Sequence, residues 1–457
     1  MKTIGIITEY NPFHNGHLYQ INKIKEMTGA EHVVVVMSGD FVQRGVPAWT
    51  DKYLRSEMAL ASGISLVFEL PVCYATASAE QFAMAGVSLL SSLSFVDGIC
   101  FGCECDNLAL LQKIADFLAF PPESFYEQVT VFTSQGLSFP AARQKALETV
   151  FPNECLDNPD LLSSPNNILA IEYLKALRVL NSTLRPYAIR RCDSGYHSDS
   201  LESSFASATA IRKQSLTGND TMTDFFSIAG KVMPDAVVSL LRQEKNRFPV
   251  TEDDFSVLLY YCLQNHFQKT DSAANTATIL DMTPELYYRI RNCLADFDTY
   301  SSFTGLLKTK QYTHSRISRV LLHLLLDIHE ESVSYPLANP LTPQHTKNAD
   351  GQFFFPVVPY ARLLGFQKKA SYLLREESSI PIITKPADGL AQIQNFDFAD
   401  SILAYAGSFG KPVDAYVNYA CRLYEKDIMA ANLYSQVQSR KYQLKLPDEY
   451  RQKPVIL

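Results

Sequence analysis

The segment Asn11-Pro12-Phe13-His14-Asn15-Gly16-His17 sets two imidazoles three residues apart around a glycine. Imidazole N–H groups can bond phosphate oxygens and steady the charge that develops at phosphorus during displacement, an electrostatic form of catalysis. Pro12 fixes a turn, and Gly16 removes a side chain where a base or ribose must approach the backbone closely. Two histidines in a surface loop carry little meaning alone, so the flanks decide. A strand-like run, Thr3–Thr8, precedes the motif, and a helical pattern over His17–Met27 follows it, with Leu18, Ile21 and Ile24 on one face. A helix start offers unpaired N–H groups and the positive end of the dipole. The expectation is a nucleotide phosphate site with His14 and His17 as the catalytic pair.

Two further groups of residues suit polyanions. Ser207-Ala208-Thr209-Ala210-Ile211-Arg212 puts hydroxyls at a helix start and an arginine one turn on, which can bind phosphate or merely cap the helix. Between Leu286 and Arg319, the cations Arg289, Arg291, Lys308, Lys310, Arg316 and Arg319 stand against Asp296 and Asp298. That is a basic patch in a chain of net charge −7. On the helical run Arg316–Ile328, Arg316, Arg319 and His323 share a face opposite a leucine-rich stripe. Tyr287, Tyr288, Tyr312 and His314 supply rings for stacking on unpaired bases. The ordinary alternative is a solvated face. Arg44, Asp51, Lys52 and Arg55 are either phosphate ligands or solvated loop charge. Cys100-x-x-Cys103-x-Cys105 has no second Cys/His pair at ligand spacing and reads as buried thiols, so no metal site is expected. Tyr196-His197, after the strand with Arg190 and Arg191, either reaches the site or reads as surface, the second being the expectation.

The elements that must position these residues alternate in period. His32–Met37, Ile64–Leu70 and Gly98–Gly102 are apolar strands. Lys52–Ser62 and Ser78–Ser92 are helical, the second opened by Ser78 with Gln81 three residues on. Asn166–Leu180 is a further helix, Arg185–Arg191 a fifth strand and Ala208–Gln214 a short helix. Continuous apolar strands alternating with helices predict an α/β fold, a doubly wound parallel sheet covered on both faces. Ligands of such sheets sit at the carboxyl ends of the strands, where Thr8–His17 lies. Helical periodicity takes over after about residue 220. The boundary is set near Thr217–Thr223, giving 1–220 as an ATP-binding catalytic domain and 221–457 as a mostly helical domain. Pro381-Ile382-Ile383-Thr384 is one possible added strand.

The 457 residues are 47% hydrophobic and 19% charged, an ordinary globular balance. The overall acidity excludes a general affinity for nucleic acid, so RNA contact must be local. Nine scattered cysteines read as free thiols. No apolar run of about 18 residues and no leader pattern appear, so a cytoplasmic protein outside the membrane is expected.

The string Gly5–His17, with Met37-Ser38-Gly39-Asp40-Phe41-Val42-Gln43-Arg44-Gly45, resembles the bacterial tRNA(Met) cytidine acetate ligase family of the H-x-G-H nucleotidylyltransferase superfamily. Ser164-Pro165-Asn166-Asn167-Ile168-Leu169 and Lys308-Thr309-Lys310-Gln311-Tyr312-Thr313 are similar to further stretches of that family. The resemblance implies activation of acetate by ATP as acetyl-adenylate, then acetyl transfer to the wobble cytidine of elongator tRNA(Met), forming N4-acetylcytidine. It implies Mg²⁺ arriving with ATP. Its ATP positions carry over to Ile7, Thr8, Glu9, Tyr10, Asn11, Pro12, Phe13, His14, Asn15, Gly16, His17, Leu18, Tyr19 and Gln20, and to Gly102. An asparagine in the 164–169 stretch, taken as Asn166, and Arg191 or its neighbour Arg190 complete the set. Asn166 is expected to cap its helix while facing the ligand, and only one of two adjacent strand arginines can face the site. Related enzymes carry I-S-S-T-x-x-R where Ser207, Thr209 and Arg212 match and Ala208 departs. The tRNA surface then falls on Arg289, Arg291, Lys308, Lys310, Tyr312, Arg316 and Arg319. A small-metabolite adenylyltransferase leaves the last 230 residues unexplained, and a non-catalytic RNA-binding protein would not need His14, Gly16 and His17.

Overall fold

The computed structural model describes residues 2–158, 160–191, 207–215, 221–269, 278–333, 357–398 and 414–457. Tyr196-His197 lies outside them. The core of the molecule is an eight-stranded sheet. Its strands are β1 (Thr3–Thr8), β2 (His32–Ser38), β5 (Leu66–Leu70), β6 (Gly98–Cys103), β7 (Arg185–Arg190), β8 (Ala361–Phe366), β9 (Ile382–Ile383) and β10 (Val455–Ile456). The order is β10-β8-β5-β2-β1-β6-β7, with β9 also on β8. A separate hairpin pairs β3 (Phe41–Val42) with β4 (Val46–Pro47).

Strands β1, β2, β5, β6 and β7 are mutually parallel. The register Thr8↔Met37, Ser38↔Leu70 and Cys103↔Arg190 aligns their carboxyl ends along one rim. Alternation sends Ile4, Ile6, Val33 and Val35 to one face, against Ile21 and Ile24 of helix Asn15–Thr28. It sends Ile7, Val34 and Val36 to the other, against helices Ala79–Ser91 and Pro165–Val179. Both faces are covered, as the apolar runs required. Each fully buried valine of β2 contributes about 1.5–3 kcal/mol, which is why the run His-Val-Val-Val-Val-Met admits no polar residue among its valines.

The strands and helices read from the first 110 residues and from 165–214 appear within two residues of expectation. Between them, helices Leu108–Ala119, Glu123–Ser134, Phe139–Val150 and Pro152–Asp157 form an insertion of which the alternation bore no sign. A second difference concerns the last hundred residues. Ala361–Phe366 and Val455–Ile456 join the sheet, Ala361–Phe366 antiparallel to β5, alongside the expected Ile382–Ile383. The sheet therefore does not end at residue 220. Helix Asp414–Tyr442 is likewise tied back: Asp427 accepts from Val72 N (2.7 Å), and Tyr434 OH donates to Ala48 O (2.7 Å).

A buried ionic cluster locks this junction. Lys52 Nζ lies 2.8 Å from Glu69 and 2.6 Å from Glu449, and Arg362 pairs with the same two carboxylates. Lys52 and Arg362 are buried, and Arg55 is wholly inside. Phosphate ligation and solvated loop charge are both corrected for Asp51, Lys52 and Arg55, since Asp51 caps helix Lys52–Ala61 and pairs with Arg247 (2.7 Å). Arg44 alone of that group is exposed. Charges so enclosed are tolerable because Lys52 and Arg362 are paired with carboxylates and Arg55 is bonded to backbone carbonyls, and removing one partner of a buried pair typically costs about 3–5 kcal/mol. Among the described residues no helix is long and apolar enough to cross a membrane.

Candidate active site and nucleic-acid interface

The loop after β1 folds its own histidines into the start of the next helix. His14 is the N-cap residue of helix Asn15–Thr28, and its Nδ1 accepts from Gly16 N (3.1 Å). His17 Nδ1 in turn accepts from His14 N (3.2 Å), a reciprocal capping box made of imidazoles. The two rings stack with centroids 3.7 Å apart. An Nδ1 that accepts from an amide carries no proton, so each neutral ring bears its hydrogen on Nε2. Nε2–H is then the donor left on each ring. Burial, then the Arg191 and Arg212 cations, pushes the His14 pKa down to about 3. Burial, then His14 and Arg191, also lowers His17 well below the usual histidine value. Both rings are neutral donors near pH 7.

Gly16 has a reason beyond ligand access. A Cβ there would stand 2.9 Å from His14 Cε1, so the glycine makes room for the His14 ring itself. Tyr10, at φ 44°, is buried with its ring 4.7 Å from His17 and 4.8 Å from Phe13. Ile7 and Phe13 are core residues that shape the loop from below. Asn11 binds Trp49 N through Oδ1 (2.7 Å) and Arg212 Nη1 through its carbonyl (2.6 Å). Asn15 Nδ2 donates to Lys231 O. Gln20 reaches Cys100 Sγ at 3.8 Å, while Leu18 and Tyr19 pack on the core beneath. Thr8 and Glu9 close the carboxyl end of β1, and the cis Asn11-Pro12 peptide follows.

Across the rim the structure gathers Gly102, Asn166 and Arg191. The Arg191 stem lies where a Gly102 Cβ would meet it at 3.3 Å, and Arg191 Nη1 is 3.5 Å from Asn166 Oδ1. Arg190 turns instead to Asp106 (3.3 Å). Adjacent strand residues point oppositely, and Arg191 is the one beside the histidines. The capping role expected of Asn166 is corrected. Ser164 holds the N-cap position without a side-chain bond, and the Glu104 carboxylate takes Asn167 N (2.9 Å) and Asn166 Nδ2 (2.6 Å). Asn167, buried, accepts from Glu104 N and Cys105 N. Ser207 caps its helix through Ala210 N (3.1 Å), and Thr209 accepts from Arg212 Nη2 (3.2 Å), which aims Arg212 at the loop. Cys100, Cys103 and Cys105 are free thiols.

This arrangement is matched along the whole chain by known proteins. The HIGH nucleotidyl transferase family matches residues 1–448. The tRNA(Met) cytidine acetate ligase of Thermoanaerobacter sp. (strain X514) is 37% identical over 444 residues, 95% of each chain. That of Clostridium tetani (strain Massachusetts / E88) is 37% identical over 405 residues, 87% of this chain and 93% of its own. The chain belongs to the tRNA(Met) cytidine acetate ligase family. The fold agrees over the full length of both chains with Thermotoga maritima TmcAL bound with alpha-thio ATP, at TM-score 0.81 and 26% identity. It also agrees with the apo form, at TM-score 0.83 and 27% identity.

The basic residues divide in the structure. Arg291, Lys308 and Lys310 are exposed. Arg289 is engaged by helix Tyr300–Leu307, donating to Leu307 O (2.6 Å) and Leu306 O (2.9 Å) at its carboxyl end. Arg319 pairs with Asp281 (2.7 Å), and Arg316 lies over the Tyr312 ring at 5.4 Å with Nη2 near Asp281 O (3.3 Å). Tyr312 OH is bonded to Thr283 Oγ1 (2.7 Å). Two expectations fail here. His323 is buried, its ring between Leu280 O and Thr76 O (3.0 Å each), and Tyr287 is buried among Phe267 and Tyr288. Neither meets RNA. Tyr288 and His314 remain exposed.

Residue spacing did not reveal Glu104, Asn167 and Arg55 as organisers of the rim. Arg55 donates to Thr50 O (3.0 Å), Glu9 O (2.7 Å), Ser38 O (3.0 Å) and Gly39 O, drawing the ends of β1 and β2 together. Nothing in its spacing distinguished it from surface charge. Glu104, directly after the last residue of β6 and so at the rim, carried a faint signal.

Proposed function

We propose that this protein activates acetate with ATP, as acetyl-adenylate, and transfers the acetyl group to the wobble cytidine of elongator tRNA(Met). The observation that carries the reading is the pair of neutral imidazoles whose Nδ1 atoms are held by backbone N–H groups. Nε2–H is thereby left as the donor of each of two stacked rings, near the Arg191 and Arg212 cations. ATP enters with Mg²⁺ on its phosphates as substrate. The acetate oxygen attacks the α-phosphorus, the bond to the pyrophosphate oxygen breaks, and the two Nε2–H groups and nearby guanidiniums stabilise the charge that grows on the phosphate oxygens. Such preorganised donors act without reorganising, and neutral rings donate at physiological pH without first gaining a proton. The ATP-binding set is His14, His17, Gly102, Asn166, Arg191, Thr209 and Arg212 with the Ile7–Gln20 loop.

In the second step the cytidine N4 amine attacks the acetyl carbonyl. The carbonyl–phosphate oxygen bond breaks, AMP departs, and the amine proton passes to solvent through the leaving phosphate. Arg291, Lys308 and Lys310 supply the exposed charge for the RNA backbone, with Arg316 and Tyr312 behind them. ATP and tRNA as substrates put the enzyme in the cytoplasm.

The test is incubation with ATP, labelled acetate and total tRNA, followed by nucleoside analysis, alongside acetate-dependent exchange of labelled pyrophosphate into ATP without RNA. Labelled N4-acetylcytidine and exchange in the absence of RNA are expected. Exchange that requires a phosphorylated metabolite in place of acetate would overturn the reading.

A further inference from the structure

The hairpin β3–β4 is fastened at both ends to different halves of the proposed site. At its base, Trp49 N donates to Asn11 Oδ1 (2.7 Å) and Ala48 N donates to Asp40 O (2.8 Å), while in its turn Gln43 N donates to Glu9 Oε1 (2.9 Å). The wholly buried Arg55 binds the carbonyls of Glu9, Ser38, Gly39 and Thr50, so the chain entering and leaving the hairpin is anchored to the histidine loop. Behind it, Phe41 packs on Phe255 (5.6 Å) and Tyr434 (6.0 Å).

At the tip, Gly45 sits at φ +75° and is buried. A Cβ there would stand 2.3 Å from Arg319 N, 2.5 Å from Arg319 Cα and 2.6 Å from Ser318 C. These are backbone atoms of helix His314–Leu326, which cannot yield as a side-chain end would. Ser318 Oγ donates to Gly45 O (2.9 Å), and Tyr300 OH donates to Ser318 O (3.2 Å). The contact falls on the turn of the helix that carries Arg316 and Arg319.

We infer that this hairpin is a strut that sets the distance between the acetyl-adenylate and the incoming cytidine, and that Gly45 is the positioning residue on which that distance depends. The inference rests on the reading that helix His314–Leu326 belongs to the RNA-binding face. Acetyl-adenylate forms at the base of the strut, without RNA. The amine is delivered from the side of the tip. A path of hydrogen bonds between backbone and side chains, ending in backbone contact at Gly45, joins the two, and a misplacement of about 1 Å at a reacting pair can cost about 10²-fold in rate. Displacing the tip therefore leaves activation intact and misaligns transfer, and the waiting adenylate is lost to water.

Gly45→Ala tests this directly. Acetate-dependent pyrophosphate exchange should keep its kcat and its KM for ATP. Acetylation at saturating tRNA should slow by about tenfold or more, and the AMP released per N4-acetylcytidine formed should rise. Ser318→Ala removes one hydrogen bond without adding bulk. It should shift the same ratio in the same direction by a smaller amount, with an unfolding midpoint close to the parent's, and it decides the matter if Gly45→Ala does not fold. Exchange and acetylation falling in parallel in the variants that fold would reduce the hairpin to a stabilising element and overturn the inference. An unchanged AMP-to-acetylcytidine ratio in those variants would overturn it as well. Failure of the parent protein to make N4-acetylcytidine would be a separate result, removing the functional reading and this inference with it.

Discussion

The histidine loop and the basic face around helix His314–Leu326 use polar residues in opposite ways. In the loop, each imidazole commits one nitrogen to a neighbouring backbone N–H, and that local bond is what leaves the other as the donor. On the basic face, Arg289, Arg316 and Arg319 commit their donors to distant carbonyls and to Asp281, and what remains exposed is Arg291, Lys308 and Lys310. A site built within seven residues keeps its chemistry where the chain puts it. A surface assembled from three helices loses part of its apparent charge to holding those helices together.

His17→Ala tests this contrast most severely. Removing one preorganised donor should lower the rate of pyrophosphate exchange by about 10²–10³-fold, while tRNA affinity, measured by filter binding, stays near the parent value. Loss of both together would mean that the loop also organises the RNA face. Gly16→Ala should follow with a smaller loss in exchange rate, about tenfold or more, because the added carbon displaces the His14 ring rather than deleting a donor.

On the other side, Lys308→Ala with Lys310→Ala should weaken tRNA binding and reduce its salt slope by about 1 for each phosphate no longer neutralised. Arg289→Ala should leave the slope alone and lower the unfolding free energy by about 0.5–1.5 kcal/mol, through the hydrogen bonds to Leu306 and Leu307 that it loses. A salt slope that responds to Arg289 and not to the lysines would reverse this division.

A pH titration of stability reads the burial of the loop directly. His14 in the fold takes up a proton only near pH 3, whereas in the unfolded chain it does so near 6.5. Between those values the unfolded state binds more protons. The contribution of His14 is therefore fully present above 6.5 and is lost as pH falls towards about 3. Thermal unfolding measured across that window should show a shallower decline in His14→Gln than in the parent protein.

The fold of the first 110 residues was legible because each strand is enclosed on both faces and each helix carries one apolar stripe, so hydrophobic period alone identified them. The four-helix insertion after β6 was invisible because it interrupts an alternation without altering composition. Strand Ala361–Phe366 was missed for a related reason: it lies far along a region dominated by helices and proline, and becomes a strand by pairing with β5. At the site, the choice between Arg190 and Arg191 needed the rim, since both sit at the end of one strand and only Asp106 on one side and Asn166 on the other separate them.

Local spacing dictated the parallel sheet, the loop at its carboxyl edge and the two histidines. Those features depend on residues close along the chain, where spacing is geometry. Long-range packing settled which cations stay exposed, that Glu104 rather than Asn166 caps the helix after the 164–169 stretch, and that His323 lies inside. It also brought a glycine in a small hairpin against the backbone of a helix 273 residues further along. Each of these depends on which partner reaches a polar group first, and a partner far along the chain leaves no mark on the spacing around that group.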